Sequence, residues 1–339
     1  MIFTSLSLQE LSSAVQVCRM WREAGETPAL WSKLTVTVDE SNRDIVHHIL
    51  TCRRMEAVTK IVINGGVTMS EEGWMSVIEH GGLTQMEVRV PSSDNGSLAS
   101  VEPSLLARVI TRMEEVKVWY EDLTPEQMIA TFREICNGST LTLKLFHIEW
   151  SAFVLEKVKP ELVARAVTRL EDVYLPLYKE QLTAVLREIC DRSAISLKSL
   201  GLQPIIYNMK EVDSGLLAQA VTKLEKVSFC NVGLEVEQIT AILNAISSDD
   251  GSVMKLKILD ISRNLWGLKM VDPRLVAKAV TRLQELDITG VDLDTEQNLA
   301  IREAVERSSC RVIGLQDSYQ YWETESESEI NSESDSDSD

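Results

Sequence analysis

The chain has 339 residues, a formal net charge of −18 and 44% hydrophobic residues, a composition that suits a folded protein with a large core. The acidic balance argues against nucleic acid as the main partner, because phosphate binding needs clustered Lys and Arg. With no apolar run long enough to span a bilayer, no membrane association is expected. The six cysteines (Cys18, Cys52, Cys136, Cys190, Cys230, Cys310) form no CxxC pair and point to free thiols in a reducing compartment, the cytoplasm or nucleus.

The start MIFTSLSLQELSSA has no basic n-region and no cleavage pattern, so no secretory leader is expected. In SLQELSSAVQVCRMWREA the residues Leu11, Ala14, Val15, Cys18 and Trp21 share one face of a helix. A turn follows at ETPALW, where Pro28 fixes the backbone before Leu30 and Trp31. The stretch from Ile2 to Leu34 resembles the F-box family: a Leu-rich helix (Leu8, Leu11), then Val17-Cys18-Arg19-Met20-Trp21, then Pro28-Ala29-Leu30-Trp31. Residues 1–34 are therefore expected to form a partial F-box-like segment. The family opens on a Leu-Pro-x-Glu helix, and this chain starts partway through that pattern. The resemblance implies docking on a Skp-family adaptor of a cullin-based ubiquitin ligase. It assigns that contact to Leu8, Leu11, Val17, Cys18, Trp21, Pro28 and Leu30.

From Trp31 onward the chain repeats itself. Four segments are related: VEPSLLARVITRMEEV, VKPELVARAVTRLEDV, VDSGLLAQAVTKLEKV and VDPRLVAKAVTRLQEL. A second set alternates with them: LTPEQMIATFREIC, LYKEQLTAVLREIC, LEVEQITAILNAIS and LDTEQNLAIREAV. Both sets have helical spacing. Pro103, Pro160 and Pro273 sit at helix starts, where the missing N–H costs nothing, and Thr124 with Gln127 fits a capping box. Cys136 and Cys190 hold the same slot in two REIC helices, which suits a packing role. After each helix comes an L-x-x-L-x-L segment, among them Met113/Val116/Val118, Leu170/Val173/Leu175 and Leu256/Leu259/Ile261. The template extends back to Trp31/Leu34/Val36 and forward to Cys310/Ile313/Leu315.

LKILDISRN (Leu256 to Asn264) matches the L-x-x-L-x-L-x-x-N signature, and the chain resembles the leucine-rich-repeat family at its ribonuclease-inhibitor-like end. The fold so implied is α/β: a right-handed horseshoe solenoid of about eleven repeats over residues 31–318, with a parallel concave sheet and convex helices. Val232 and Val291 replace the ladder asparagine of neighbouring repeats, so the backbone groups of those turns must be satisfied in another way.

No catalytic or metal constellation is recognisable, and neither cofactor nor enzymatic activity is expected. The four histidines, His47, His48, His80 and His147, lack metal-ligand spacing, and NGG and HGG read as turn glycines. Binding is expected on outward strand positions. Lys117, Trp119, Tyr120, His147, Trp150 and Tyr174 cluster there over three consecutive strands and are the candidate contacts for a protein substrate. Partial burial of these aromatics against the Ser151–Val158 loop is the competing reading. Glu285, Asp260 and Asp287 make the far end acidic. Residues 323–339, with eight acidic residues among serines, are expected to be a disordered tail, either a solvating segment or a substrate for an acid-preferring kinase. The function implied is substrate recognition in a ubiquitin ligase. The alternative is a non-catalytic repeat scaffold or regulator, of inhibitor or GTPase-activator type, that binds no adaptor.

Overall fold

The computed structural model describes residues 13–14, 16–19, 21, 23, 27–89, 98–119, 123–138, 141–149, 154–192, 194–203, 209–248, 254–264 and 268–315. Eleven strands form one parallel sheet in strict chain order. They are β1 (Thr35–Val38), β2 (Lys60–Asn64), β3 (Gln85–Arg89), β4 (Glu115–Trp119), β5 (Leu145–Glu149), β6 (Asp172–Leu175), β7 (Ser199–Leu202), β8 (Lys226–Ser228), β9 (Ile258–Asp260), β10 (Glu285–Asp287) and β11 (Arg311–Ile313). Helices precede or separate them: α1 (Pro28–Trp31), α2 (Val46–Leu50), α3 (Glu71–Glu79), α4 (Pro103–Arg112), α5 (Pro125–Asn137), α6 (Pro160–Val167), α7 (Lys179–Asp191), α8 (Ser214–Val221), α9 (Val236–Ser247), α10 (Pro273–Val280) and α11 (Thr295–Glu306). This is the leucine-rich-repeat solenoid that the repeating template implies. No helix among the described residues is long and apolar enough to cross a membrane.

The middle apolar position of the template lines up across the whole sheet. Val36, Ile61, Met86, Val116, Phe146, Val173, Leu200, Val227, Leu259, Leu286 and Val312 are successive Cα partners. Because side chains alternate along a strand, this row and the row two residues on point toward the helices. All but Val312 of the first row are buried. One contiguous apolar cluster runs from Trp31 to Cys310, as a stack requires when no repeat can bury its own face. Within it the Phe132 and Phe146 rings meet edge to face, 6.4 Å apart.

At both ends the register departs from the template. Trp31 ends helix α1, two residues ahead of where the first template position falls, because Val36 pairs with the middle-position Ile61, and α1 packs on the 3-10 turn Arg53–Ala57. The first strand therefore buries Val36 and Val38, not Leu34 and Val36. At the other end Leu286 pairs with Val312, so Ile313 falls in the outward row. End repeats have a neighbour on one side only, and their register follows that single pairing rather than the average period. The continuous front helix also differs. Residues 13–14, 19, 21 and 23 are helical, but Gln16 and Val17 donate backbone hydrogen bonds to Ser13 and Ala14, and this tight turn breaks the helix at Gln16–Cys18.

From α4 onward short and long helices alternate, and each long helix carries a buried glutamine. Gln127, Gln181, Gln238 and Gln297 are at most 2% exposed. Each accepts from its N-cap backbone N–H and donates through Nε2 to two carbonyls of the turn one repeat earlier. For Gln238 these contacts are Glu235 N at 3.1 Å, Met209 O at 2.6 Å and Val212 O at 2.9 Å. The repeated Glu-Gln pair is thus a polar ladder that ties each long helix to the turn before the preceding short helix. The repeated Thr-Arg/Lys-Leu after the short helices has a matching role. Arg169, Lys223 and Arg282 cap carbonyls at the C-terminal ends of α5, α7 and α9, where a cation also suits the helix dipole.

Asn264 does what the ladder asparagine does in such repeats. It donates to Phe229 O (2.7 Å) and Ile261 O (2.8 Å) and accepts from the backbone N–H of Gly233 and Leu234. At the Val291 turn the backbone donates to itself, Val291 N to Ile288 O; the Val232 turn is served by Asn264 of the next repeat, with Asn231 N donating to Ser262 O, and Gly233 and Gly290 have positive φ. Cys136 and Cys190 are half-buried against the core and each thiol faces a carbonyl of the next short helix, Leu162 O and Leu216 O.

Candidate protein-interaction site

The outward row on the open face of the sheet contains Val62, Glu87, Lys117, His147, Tyr174, Gly201, Ser228, Asp260 and Asp287, each the Cα partner of the next. Parallel pairing therefore sets Lys117, His147 and Tyr174 side by side, as the template predicts. Trp119 partners Glu149 one row further on. All five are half-buried, which leaves part of each accessible. Tyr120 and Trp150 lie outside the described residues.

His147 and Tyr174 are a built pair. Their ring centroids are 5.8 Å apart with planes tilted 58°. His147 Nε2 lies 3.1 Å from Asp172 Oδ1. The Tyr174 ring lies across the backbone of Gly201: a Cβ at Gly201 would sit 2.2 Å from Tyr174 Cδ2. Gly201 is therefore the floor on which the phenol rests. Burial, with Glu149, Cys230 and Asp260 adding, pushes the Tyr174 phenol up to about 12. Burial also raises the Glu149 carboxyl, partly offset by His147. The indole N–H of Trp119 is out of contact with solvent and has no acceptor among the described residues.

Charge divides the face. On the β2–β4 side, Glu87 accepts from Arg89 Nε at 2.6 Å and is paired with Lys60 at 2.7 Å. Burial works against its ionisation, but these hydrogen bonds and charges outweigh it and hold the carboxyl below the usual range. On the β8–β10 side, Asp260 accepts from the hydroxyls of Ser228 and Ser262, both at 2.6 Å, and Asp287 from Thr289 N. The aromatic pair sits between the basic and the acidic parts. Among the described residues, no group of three His, Cys, Asp or Glu could hold a metal ion.

Asp172 supplies a pH test. Burial raises its carboxyl, but the hydrogen bond and charge of His147, with Ser199 and Lys226, outweigh burial and lower it below 3.8. A carboxyl lowered in the folded state stabilises above its unfolded value, and that contribution is lost as pH falls through the folded value. Thermal melts should therefore show the native chain losing more stability than Asp172→Asn as pH drops below about 3.8. Parallel losses in the two chains would remove Asp172 from this role.

At the front, Val17 is 66% exposed and Cys18 is exposed, so neither is core. Trp21 is half-buried, and Leu30 packs partly on the repeat core. Arg19 and Glu23 pair across one turn at 2.8 Å. Pro28 opens α1. Leu8 and Leu11 lie outside the described residues.

An F-box-like family model matches residues 1–37. Together with the solenoid, this defines the class: an F-box-like segment joined to leucine-rich repeats. No curated protein matches the chain. Among solved structures, the chain is similar to the leucine-rich repeat-containing protein LegL7 from Legionella pneumophila, at 12% identity over 82% of this chain and 88% of that one, with a TM-score of 0.47. It is also similar to a chain of the yeast Rad7 and Elc1 complex, at 13% identity over 91% and 92%, with a TM-score of 0.39.

Proposed function

We propose that this chain is a substrate-recognition subunit of a cullin-based ubiquitin ligase. The observation that carries the reading is the F-box-like match at residues 1–37 directly in front of a repeat solenoid. The front segment docks a Skp-family adaptor, and Val17, Cys18 and Trp21 are its accessible contacts. The open sheet face binds the protein substrate through Lys117, Trp119, His147 and Tyr174. No chemistry is required of the chain itself: holding substrate beside the ligase raises its effective concentration there.

Co-purification of the full chain with a Skp-family adaptor tests this. A stable complex is expected, and Trp21→Ala should weaken it by about tenfold or more, as loss of a central aromatic contact does in protein interfaces. If no complex forms, or if Trp21→Ala binds equally well, the adaptor role is wrong and a scaffold without an adaptor becomes the better description.

A further inference from the structure

The helix face of the solenoid holds a second feature, independent of the adaptor reading. Helices pair as α4–α5, α6–α7, α8–α9 and α10–α11, and the junctions between pairs are looser. At the α5–α6 junction this leaves a groove of about 370 Å³. Ile129, Cys136 and Leu162 form its apolar floor, and Arg133, Lys157, Lys159 and Arg165 line its rim. All four cations are exposed, and among the described residues none has a carboxylate within ion-pair distance.

The fold does not require these charges. At the matching slots of Lys157, Lys159 and Arg165, the α7–α8 junction has Glu211, Asp213 and Gln219, and the α9–α10 junction has Met270, Asp272 and Lys278. Glu211 is itself ion-paired, to Lys179. Packing is therefore met equally by acidic, neutral or basic residues, and four unpaired cations in one groove of a chain with net charge −18 stand apart.

We propose that the α5–α6 groove receives the chain's own acidic end, Glu333 to Asp339. That segment offers four carboxylates, Glu333, Asp335, Asp337 and Asp339, against four cations. Residues two apart in an extended peptide point the same way, so all four acids face one side, roughly 6.6 Å apart. Reach allows it. Five helix steps from α6 to α11, at 8–10 Å each, come to roughly 40–50 Å. The 18 residues from Leu315 to Glu333 span up to about 60 Å when extended. Such docking would neutralise the groove.

Cys136 on the floor reports occupancy, and Cys190, in the same slot of α7, is its internal control. Full-length native chain and a full-length variant carrying Glu333→Gln, Asp335→Asn, Asp337→Asn and Asp339→Asn are alkylated with iodoacetamide at low ionic strength. The Cys136 to Cys190 rate ratio is read by mass spectrometry. The expected ratio is about threefold lower in the native chain, as a tethered segment at high effective concentration shields the thiol. High salt should erase the difference by screening the exposed charges. Lys157→Gln with Lys159→Gln, at exposed positions, should raise the native ratio to that of the variant. Equal ratios in native and variant chains overturn the proposal. Protection that grows with protein concentration assigns the groove to the acidic end of a second copy and overturns docking within one chain.

Discussion

Replacing Gln238 with Met should destabilise the solenoid by about 3 kcal/mol, because each buried backbone group left without a partner costs roughly 1–3 kcal/mol. Methionine keeps the length and apolar volume of the side chain, so packing is largely preserved and the loss is polar. Two groups are orphaned, the Glu235 N–H and the Val212 carbonyl, while the Met209 carbonyl loses one of its two donors and keeps Val212 N. The Gln238 side chain is 2% exposed, and little water can replace them. Urea unfolding of the two chains measures the difference. Repeat arrays can lose stability locally before they unfold globally, so hydrogen exchange at the α8–α9 turn should report the same loss. A change below about 0.5 kcal/mol by both methods, the size of an ordinary surface substitution, would show that the glutamine ladder is incidental.

Gly201→Val should displace Tyr174. The clash is between the new Cβ and the body of the ring, and the ring stands on the open face, where it is free to swing away. Leaving the Gly201 floor removes most of the burial that holds the phenol near 12. Its ultraviolet titration should then move down toward the ordinary value of about 10. Tyr174→Phe identifies which tyrosine in the native chain titrates near 12. The contact with His147 is lost at the same time. If the site reading is right, substrate capture falls by about tenfold or more, as expected when an aromatic anchor leaves an interface. A phenol that still titrates near 12 in Gly201→Val would contradict the seating of Tyr174 on Gly201.

The front segment and the solenoid were legible in the sequence for different reasons. Trp21, Pro28 and Trp31 stand at family spacing, so a short motif suffices. The solenoid is legible because one template recurs, and each repeat meets the same neighbour problem with the same answer. The template failed at Trp31 and at Ile313, where a repeat has one neighbour instead of two. The Glu-Gln pairs showed a recurring helix start. Their second job, binding carbonyls one repeat earlier, joins residues some 26–29 positions apart and has no local signature.

The amino-acid sequence by itself determined the period, the helix starts, the parallel sheet and the row that carries Lys117, His147 and Tyr174. These follow from local spacing and from the alternation of side chains on a strand. Only the tertiary structure decided that Asp172 holds His147, that Gly201 seats Tyr174, and that four cations meet at one helix junction with no acid among the described residues to pair them. Such contacts join different repeats. Whether two charges attract, repel or stand unpaired is settled only when pairing and register bring them within a few ångströms, where Coulomb energies are large enough to matter.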